Sequence, residues 1–401
     1  MTTDSPSVTI LILNWNGRQL LPRCLAALQA LEYPDYRVVV ADNGSSDDSL
    51  DFVRETYPEA LVVDLGQNLG FARGNNAAFS RLADASDILV LLNNDVYVRP
   101  GWLKSLVEPF ADPQVGITGA KLLFPDETHI QHAGAELEYP LALSRHYAYQ
   151  QVDGGPADEC HAVPYVTGAS MAIRWSLAEG LGLFDERFTP NYYEEADLCT
   201  RASAAGYKVL YVPTAVAIHH ESFSAVKESP QTVYAFHLNR LRFVFKHYTD
   251  QQLANDFIPA ELTRLLTTPQ SAGGLESIRR AYLELMLELI TAGDDSERYR
   301  VMLAALGQWW EASLRVDPEH VPGLIYGKPA LDPLFRKLQV GWRAFSTKVL
   351  FWPVVKRQRA TNALLWRTAQ LLAQNASSAE GDEEIANQIA AIRKELRRIG
   401  Q

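Results

Sequence analysis

Four short apolar runs, each ending in a cluster of polar residues, constrain the fold of this chain more than any other feature. The runs occupy residues 8–13, 37–41, 61–65 and 88–92. Between the first two, residues 20–31 carry apolar side chains at helical spacing. Strands that alternate with helices predict an α/β fold with a largely parallel, Rossmann-like sheet and helices on both faces. The polar clusters then lie at the carboxyl ends of the strands, where open α/β sheets bind their ligands.

Carboxylates in these clusters are the first candidates for chemistry. Asp95 follows the fourth run, and it either binds a divalent cation or belongs to a turn that ends the strand. Asp42 follows the second run, and it either accepts a hydrogen bond from a nucleobase N–H or caps a helix begun by residues 45–48. The residues alone leave both alternatives open for both aspartates.

The third cluster, residues 66–76, combines two early glycines with Arg73 and the start of a helix. Such a combination can surround a phosphate group. The segment is not a Walker loop, and the chain has no Gly-x-Gly-x-x-Gly motif. A dinucleotide-binding dehydrogenase therefore has no support.

An acidic cluster opens another predicted helix with Glu194, Glu195 and Asp197. The helix dipole and pairing of Asp197 with Arg201 are a sufficient structural reason for these acids. The functional interpretation makes one of them a general base, because neighbouring carboxylates raise each other's pKa. Further along, His219 and His220 follow a β-rich run at 208–212, and a histidine there is either structural or a metal ligand.

Composition limits the class of partner and the compartment. The 37 basic and 48 acidic residues give a net charge of −11, which disfavours a nucleic-acid binder with a basic surface. Three cysteines far apart in the sequence support neither a disulfide framework nor a paired-Cys zinc site. We expect no secretory signal from the amino-terminal residues, and no apolar run reaches the ~18 residues that cross a bilayer. We expect a cytoplasmic protein that binds no nucleic acid.

The last third of the chain has a different pattern. Helical spacing recurs at 234–248, 253–266, 275–290 and 299–314. Residues 333–379 contain eight Lys or Arg and no Asp or Glu, with an apolar stripe that includes tryptophans. This segment either contacts an anionic membrane surface, making the protein peripheral on the inner face of the membrane, or packs on the helices before it. Residues 383–399 repeat a heptad spacing and either form a dimer or dock on the body.

Taken in order, the motifs resemble those of the family 2 glycosyltransferases of the GT-A fold, in particular their bacterial rhamnosyltransferase-like branch. The resemblance rests on TILILNWNG (9–17), DNGSSD (42–47), NLGFA (68–72), LNND (92–95), GLFDE (182–186), EEADL (194–198) and HH (219–220). It covers about residues 7–250. We therefore expect a GT-A catalytic domain at 1–250 and a helical domain at 251–332, followed by the basic segment at 333–379 and a short heptad helix at 380–401.

The resemblance implies inverting transfer of a sugar from a nucleoside-diphosphate donor to a hydroxyl of a saccharide or lipid-linked acceptor, with Mg²⁺ or Mn²⁺ as cofactor. It implies catalysis by Glu195, which stands where the family usually has an aspartate base, or by its neighbour Glu194. It places Asp95 and His219 on the metal. For the donor nucleotide it implicates Asn14, Asp42, Asn68, Arg73, Asn93 and Asn94. For the acceptor and the donor sugar it implicates Gly168, Asp185, Glu186 and Asp197.

Two other functions compete with this hypothesis. A sugar-phosphate nucleotidyltransferase shares the sheet, the nucleotide and the metal carboxylate, but it normally has a Gly-rich basic loop after the first strand, where this chain has Asn14-Trp15-Asn16-Gly17-Arg18. A non-catalytic member of the fold would bind a nucleotide sugar or scaffold polysaccharide assembly. The glutamate at the base position motivates this second alternative.

Overall fold

The structure, a computed structural model, describes residues 5–82, 85–220, 229–268, 272–292 and 297–315. The expectations for the basic segment 333–379 and for the heptad segment 383–399 lie outside the described residues. The chain divides into two compact units, Met1–Ala260 and Glu261–Gln401. This division falls ten residues after the boundary expected at 250.

The first unit contains every strand that the structure describes. The strands are β1 Val8–Asn14, β2 Tyr36–Asp42, β3 Leu61–Asp64, β4 Ile88–Asn93, β5 Val96–Val98, β6 Val115–Leu123, β7 Ile130–His132, β8 Ala135–Glu138, β9 Leu143–His146, β10 His161–Ala162, β11 Ser170–Arg174 and β12 Lys208–His219.

Helices alternate with the first strands and follow the last one. They are α1 Leu21–Gln29, α2 Ser49–Thr56, α3 Phe71–Phe79, α4 Trp102–Val107, α5 Trp175–Leu181, α6 Glu194–Ala204, α7 Pro230–His247, α8 Asp250–Gln252, α9 Ile258–Thr267, α10 Ala272–Ala292 and α11 Glu297–Arg315. Short 3-10 turns lie at Glu108–Ala111 and Gly155–Asp158, and a π-helical turn at Leu253–Phe257 joins α8 to α9.

Ten strands form one sheet, in the order β10-β12-β6-β11-β4-β1-β2-β3, with β5 paired to β12 and β7 paired to β6. The pairs among β1, β2, β3 and β4 are parallel, as is β12 with β6, whereas β11 runs antiparallel between β4 and β6. Strands β8 and β9 form a separate hairpin. The predicted mostly parallel sheet is confirmed.

Burial on both faces explains why the first strand is almost uniformly apolar. Six of the seven residues of β1 are buried, because helices cover the sheet on either side. Helix α1 buries Leu21, Cys24, Leu25 and Leu28, which recur at helical spacing and pack into the same core. Burial of each such leucine stabilises the fold by about 1.5–3 kcal/mol.

Strand register brings the polar clusters to one sheet edge. Asn14 pairs with Asp42 across β1 and β2, and Leu13 pairs with Asn93 across β1 and β4. At the other side of the sheet, His219 pairs with Val96 across β12 and β5, which places this histidine beside Asp95. The edge predicted to bind ligand therefore collects residues as far apart in the sequence as Asn14 and His219.

One local prediction was wrong. The helix expected to begin within residues 45–48 begins at Ser49, because residues 43–48 form a turn. The helix expected over 253–266 is present, with a π-helical first turn at Leu253–Phe257 that continues into α9. Among the described helices, none combines the length and the apolar character that a membrane span requires.

Candidate active site

Asn14 connects the ends of three strands. Its side chain is fully buried, and its Nδ2 donates to Asp42 Oδ1 at 3.1 Å. Its Oδ1 accepts from Asn94 Nδ2 at 2.9 Å. Gly17 leaves the room for this pair, since a Cβ at that position would lie 2.1 Å from Asn14 Oδ1 and 2.3 Å from Asn94 Nδ2. Three residues predicted for the donor nucleotide thus form one hydrogen-bonded group.

Asp42 holds a turn rather than a helix start. Its Oδ2 accepts from the backbone N–H of Ser45 at 2.9 Å, and its Oδ1 accepts from the Ser45 hydroxyl at 2.6 Å. Asp42 therefore does not cap α2, because that helix begins four residues beyond Ser45. The carboxylate is buried and fixed in place by these bonds and by Asn14.

The loop before α3 is tied to the same edge by Asn43, a residue that sequence reasoning missed. Asn43 Nδ2 donates to Asn68 Oδ1 and to the Gly70 carbonyl, both at 3.2 Å, and its Oδ1 accepts from the Leu69 N–H at 2.8 Å. Gly70 precedes α3 with a φ of +78°, a conformation that favours glycine. Asn68 therefore lies next to the other donor-side residues.

Arg73, in the first turn of α3, meets Glu186, in the loop after α5. Arg73 Nε lies 3.3 Å from Glu186 Oε2, and Asn76 Nδ2 donates to Glu186 Oε1 at 3.3 Å. Asn93 ends β4, and its backbone N–H donates to the Ala169 carbonyl at 3.0 Å. Arg73, predicted for the donor nucleotide, and Glu186, predicted for the acceptor or donor sugar, are therefore in direct contact.

An exposed tryptophan stands beside the donor-side residues. Trp15 follows Asn14 directly and is 53% exposed, which is unusual for a large aromatic side chain. The following residue, Asn16, has a φ of +50°. Its Oδ1 accepts from the Ser46 N–H at 2.7 Å, so the loop that carries Trp15 is anchored to the turn after β2.

Asp95 and His219 form a pair of candidate metal ligands. His219 Nε2 lies 3.2 Å from Asp95 Oδ1, and His219 Nδ1 is hydrogen-bonded to Gln131 Oε1 at 2.7 Å. Both side chains remain partly accessible, at 18% for Asp95 and 12% for His219. Within the ranges that the structure describes, no group of three or more His, Cys, Asp or Glu side chains could hold a metal. The pair can therefore supply two ligands, with room for others from a substrate.

A cleft of about 630 Å³ opens next to this pair. His219 and Glu195 both line it, and aromatic side chains form much of its remaining wall: Tyr149, Tyr165, Tyr192, Tyr193 and Phe236. Arg145, which also lines the cleft, is ion-paired with Glu136 and lies 3.4 Å from Glu138. The sequence predicted the adjacent glutamates and the Asp95–His219 pair as site residues, but no pattern in it predicted the aromatic wall.

The two adjacent glutamates have different surroundings. Glu195 lines the cleft, whereas Glu194 does not and is only 4% exposed. Burial raises the pKa of Glu195, against hydrogen bonds from its own backbone and from Gly168 that lower it. Burial also raises the pKa of Glu194 well above its usual range, and the charge of Glu195 raises it further. The Oε2 atom of each is buried without a hydrogen-bond partner.

The segment that leads into α6 has a strained backbone. Tyr192 and Tyr193 have φ angles of +80° and +70°, in the left-handed region that bulky residues avoid. Each such residue costs of order 1–3 kcal/mol. The Tyr193 hydroxyl donates to the Ala142 carbonyl at 2.6 Å, and Asn239 Nδ2 donates to the Asn191 carbonyl at 2.8 Å. These bonds hold the segment so that Glu195, in the first turn of α6, lines the cleft.

Asp197 lies in the interior and not on the sugar surface. Its side chain is fully buried, and it is ion-paired with Lys246 at 2.5 Å and with Arg201 at 2.8 Å and hydrogen-bonded to His247 Nε2 at 2.7 Å. The predicted pairing with Arg201 is confirmed. Lys246 also reaches Asp185 at 2.7 Å. Asp197 therefore fastens the first turn of α6 to α7, and it has no surface with which to contact a sugar.

A solved structure of another protein resembles more than half of this chain. A crystal structure of GalNAc-T7 with UDP, GalNAc and Mn²⁺ superimposes with a TM-score of 0.50 at 17% identity, over 63% of this chain and 49% of that one. The GT-A fold expected from the resemblance is confirmed, and so is the helical region that the apolar spacing predicted, as far as Arg315.

The curated relatives include named rhamnosyltransferases. The N-acetylglucosaminyl-diphospho-decaprenol L-rhamnosyltransferase of Mycobacterium tuberculosis is 26% identical over 56% of this chain and 79% of its own length. The O-antigen chain rhamnosyltransferase RfbN of Salmonella typhimurium is 24% identical over 55% of this chain and 68% of its own. Residues 6–245, more than half of the chain, match the family model described as Glycosyltransferase like family 2, and the chain therefore belongs to glycosyltransferase family 2.

Proposed function

We propose that this glycosyltransferase is inverting and metal-dependent, and that it moves a sugar from a nucleoside diphosphate to a hydroxyl of a saccharide or lipid-linked acceptor in cell-surface polysaccharide assembly. The observation that carries the proposal is that Glu195 and His219 line one cleft. A carboxylate suited to remove a proton thus lines the same cleft as His219, one member of the pair suited to hold a cation. The relatives' names, which specify rhamnosyl transfer to a lipid-linked sugar and to O-antigen chains, support this class of acceptor.

The donor nucleotide is assigned to the edge formed by β1, β2 and β4. Asn14 and Asp42 hold each other rigidly there, so the carboxylate presents fixed acceptors to a base N–H. Trp15, exposed beside them, is suited to stack on the base, a contact worth about 1–3 kcal/mol in other base-binding sites. Asn68, Asn93, Asn94 and Arg73 extend this surface toward the phosphates. Arg73 is positioned by Glu186, at 3.3 Å.

Asp95 and His219 fit a divalent cation that shares its ligands with a diphosphate. Mg²⁺ is commonly bound by one or two carboxylates plus substrate phosphates, and Mn²⁺ accepts both oxygen and imidazole ligands. Two protein ligands 3.2 Å apart, with no third His, Cys, Asp or Glu among the described residues, match that arrangement. When bound, the cation would stabilise the charge that develops on the leaving diphosphate.

Glu195 is assigned as the general base. As the acceptor oxygen bonds to the anomeric carbon and the bond from that carbon to the diphosphate breaks, the hydroxyl proton passes to the Glu195 carboxylate. A pKa raised by burial makes the carboxylate a stronger base than an exposed glutamate. Gly168 positions it through a backbone hydrogen bond. Asp185 and Glu186 lie on the loop beside α3 and are assigned to the donor sugar, whereas Asp197 acts only by holding α6.

A thermal-shift panel tests the proposal. The full chain is melted with UDP, GDP and dTDP, each with Mn²⁺, with Mg²⁺ and with EDTA. At a nucleotide concentration of about 100 times Kd, binding adds about 2.7 kcal/mol of stability. In a domain of this size that corresponds to a rise in Tm of roughly 5–10 °C. We expect the rise to need the metal and to be lost in Asp95→Ala; no rise with any nucleotide would refute the donor assignment.

Turnover separates an enzyme from a scaffold. An active transferase releases nucleoside diphosphate slowly from its donor even when water is the acceptor, so release from UDP-, GDP- and dTDP-sugars is followed in the same buffers. Binding without release would support the non-catalytic alternative instead. Synthesis of a nucleotide sugar from a nucleoside triphosphate and a sugar 1-phosphate, with release of pyrophosphate, would support the nucleotidyltransferase.

A further inference from the structure

We propose that His132 and His146 form a hydrogen-bonded pair that fixes His146 as a neutral N–H donor in the cleft, where it recognises a hydroxyl of a neutral pyranose ring of the acceptor. The proposal rests on the proposed function, because it takes this cleft to be the acceptor site. Neither histidine belongs to the motifs of the sequence analysis. Both line the cleft together with Glu195.

A hydrogen bond from the Thr167 backbone N–H determines the tautomer of His132. Thr167 N–H donates to His132 Nε2 at 3.2 Å, so Nε2 must carry a lone pair. His132 is 1% exposed, and a neutral ring whose Nε2 is an acceptor must carry its proton on Nδ1. His132 is therefore expected in the Nδ1–H tautomer.

That tautomer determines the state of its neighbour. His132 Nδ1 lies 3.2 Å from His146 Nδ1, and the two rings are nearly perpendicular, at 83°. Because His132 Nδ1 donates, His146 Nδ1 must accept. Neutral His146 then carries its proton on Nε2. A protonated His146 would set two N–H groups against each other, so the pair keeps this part of the cleft uncharged.

The remaining wall favours an uncharged ring over an anionic group. Tyr149, Tyr192 and Phe236 offer flat apolar faces, and Arg145 is already engaged by Glu136 and Glu138. An imidazole N–H donor among aromatic faces suits the oxygens and the C–H face of a pyranose. The pair is thus a specificity element, separate from the base and from the metal ligands.

Nitrogen NMR tests the tautomers directly. Two-bond ¹H–¹⁵N correlation spectra of the full chain, labelled on histidine, distinguish Nδ1–H from Nε2–H rings, and the signals are assigned by their loss in His132→Phe and His146→Phe. We expect His132 as the Nδ1–H form and His146 as the Nε2–H form. His132 as the Nε2–H form, or a protonated His146 at pH 7.5, would overturn the proposal.

Transfer kinetics test the role in recognition. Nucleoside diphosphate release is measured with and without a panel of p-nitrophenyl pyranosides, which gives the ratio of transfer to donor hydrolysis. Loss of one neutral hydrogen bond is expected to lower this ratio about tenfold in His146→Phe. His146→Gln, which retains an N–H donor, should restore most of it. His161→Phe, a change at an exposed histidine outside the cleft, is the matched control.

The outcomes distinguish this proposal from the proposed function. An equal ratio in wild type and His146→Phe, or donor hydrolysis with no transfer to any pyranoside, would overturn the recognition role and leave the transferase intact. Absence of all donor turnover would refute the proposed function, whereas the tautomers would still decide whether the pair exists.

Discussion

Glu194→Gln is the substitution that best tests how the two adjacent glutamates divide their roles. The Glu194 side chain is buried, and its Oε2 makes no hydrogen bond. Burial, reinforced by the charge of Glu195, raises its pKa well above the usual value. The folded state therefore holds this proton at pH values where the unfolded chain has released it. Stability consequently falls as pH rises from the unfolded pKa to the folded one.

The magnitude follows from the linkage of one proton. Within that window, each pH unit costs the wild type about 1.4 kcal/mol of stability relative to a residue that cannot ionise. For a unit of roughly 250 residues, 1 kcal/mol moves Tm by about 2–4 °C. The Tm of Glu194→Gln minus that of wild type should therefore grow by about 3–6 °C per pH unit above pH ~4.5, until the folded pKa is reached.

Thermal melts of the two proteins at half-unit steps from pH 4.5 to 8 measure this difference. Glu195→Gln is the matched variant on the same turn. It should lower nucleoside diphosphate release about a hundredfold or more, as loss of a general base does, whereas Glu194→Gln should lower it less than tenfold. A Tm difference that is flat with pH would refute the burial argument. A larger loss of activity in Glu194→Gln than in Glu195→Gln would refute the assignment of the base.

Three further predictions concern the positioning of the site. Asp197→Asn should lower the free energy of unfolding at neutral pH by about 3 kcal/mol, because it breaks a buried ion-pair network with Lys246. Burial alone would raise the pKa of Asp197, but the hydrogen bonds from its partners hold that pKa below its usual value. The deficit in Tm relative to wild type should therefore shrink only below about pH 4. Gly17→Ala should weaken nucleotide binding at least tenfold in calorimetric titration. The added Cβ would lie 2.1 Å from Asn14 Oδ1 and would therefore displace the Asn14 side chain. Unchanged affinity would count against the donor assignment. Trp15→Ala should leave Tm within about 1–2 °C of wild type, as expected for an exposed side chain, while raising the nucleotide Kd roughly tenfold.

The sheet and its binding edge could be predicted from the sequence because they depend on local patterns. The apolar run at 8–13 needs burial on both faces, and it is followed at once by Asn14, which the register of β1 with β2 places beside Asp42. A parallel α/β sheet brings such strand ends together whatever the rest of the chain does. The donor-side residues and the Asp95–His219 pair were therefore accessible to sequence reasoning.

The cleft was not accessible, because long-range contacts build it. His132 on β7, His146 on β9 and Thr167 in the loop before β11 meet only in the folded chain, and the short strands around them have no periodicity that would mark a site. The choice between Glu194 and Glu195 depends on which way the first turn of α6 faces. That direction is determined by the strained residues before it and by contacts to α7, and neither has a signal in the sequence.

Tyr192 and Tyr193, with their left-handed backbones, have a consequence for protein engineering. A stabilisation campaign would replace Tyr192 with glycine or asparagine, which adopt this conformation at little cost. Tyr193 would gain nothing from the same change, because its ring is buried and its hydroxyl donates to the Ala142 carbonyl. Replacing Tyr192 would remove one aromatic face from the cleft and loosen the turn that starts with Glu194 and Glu195. Thermostability should therefore rise and turnover fall at Tyr192.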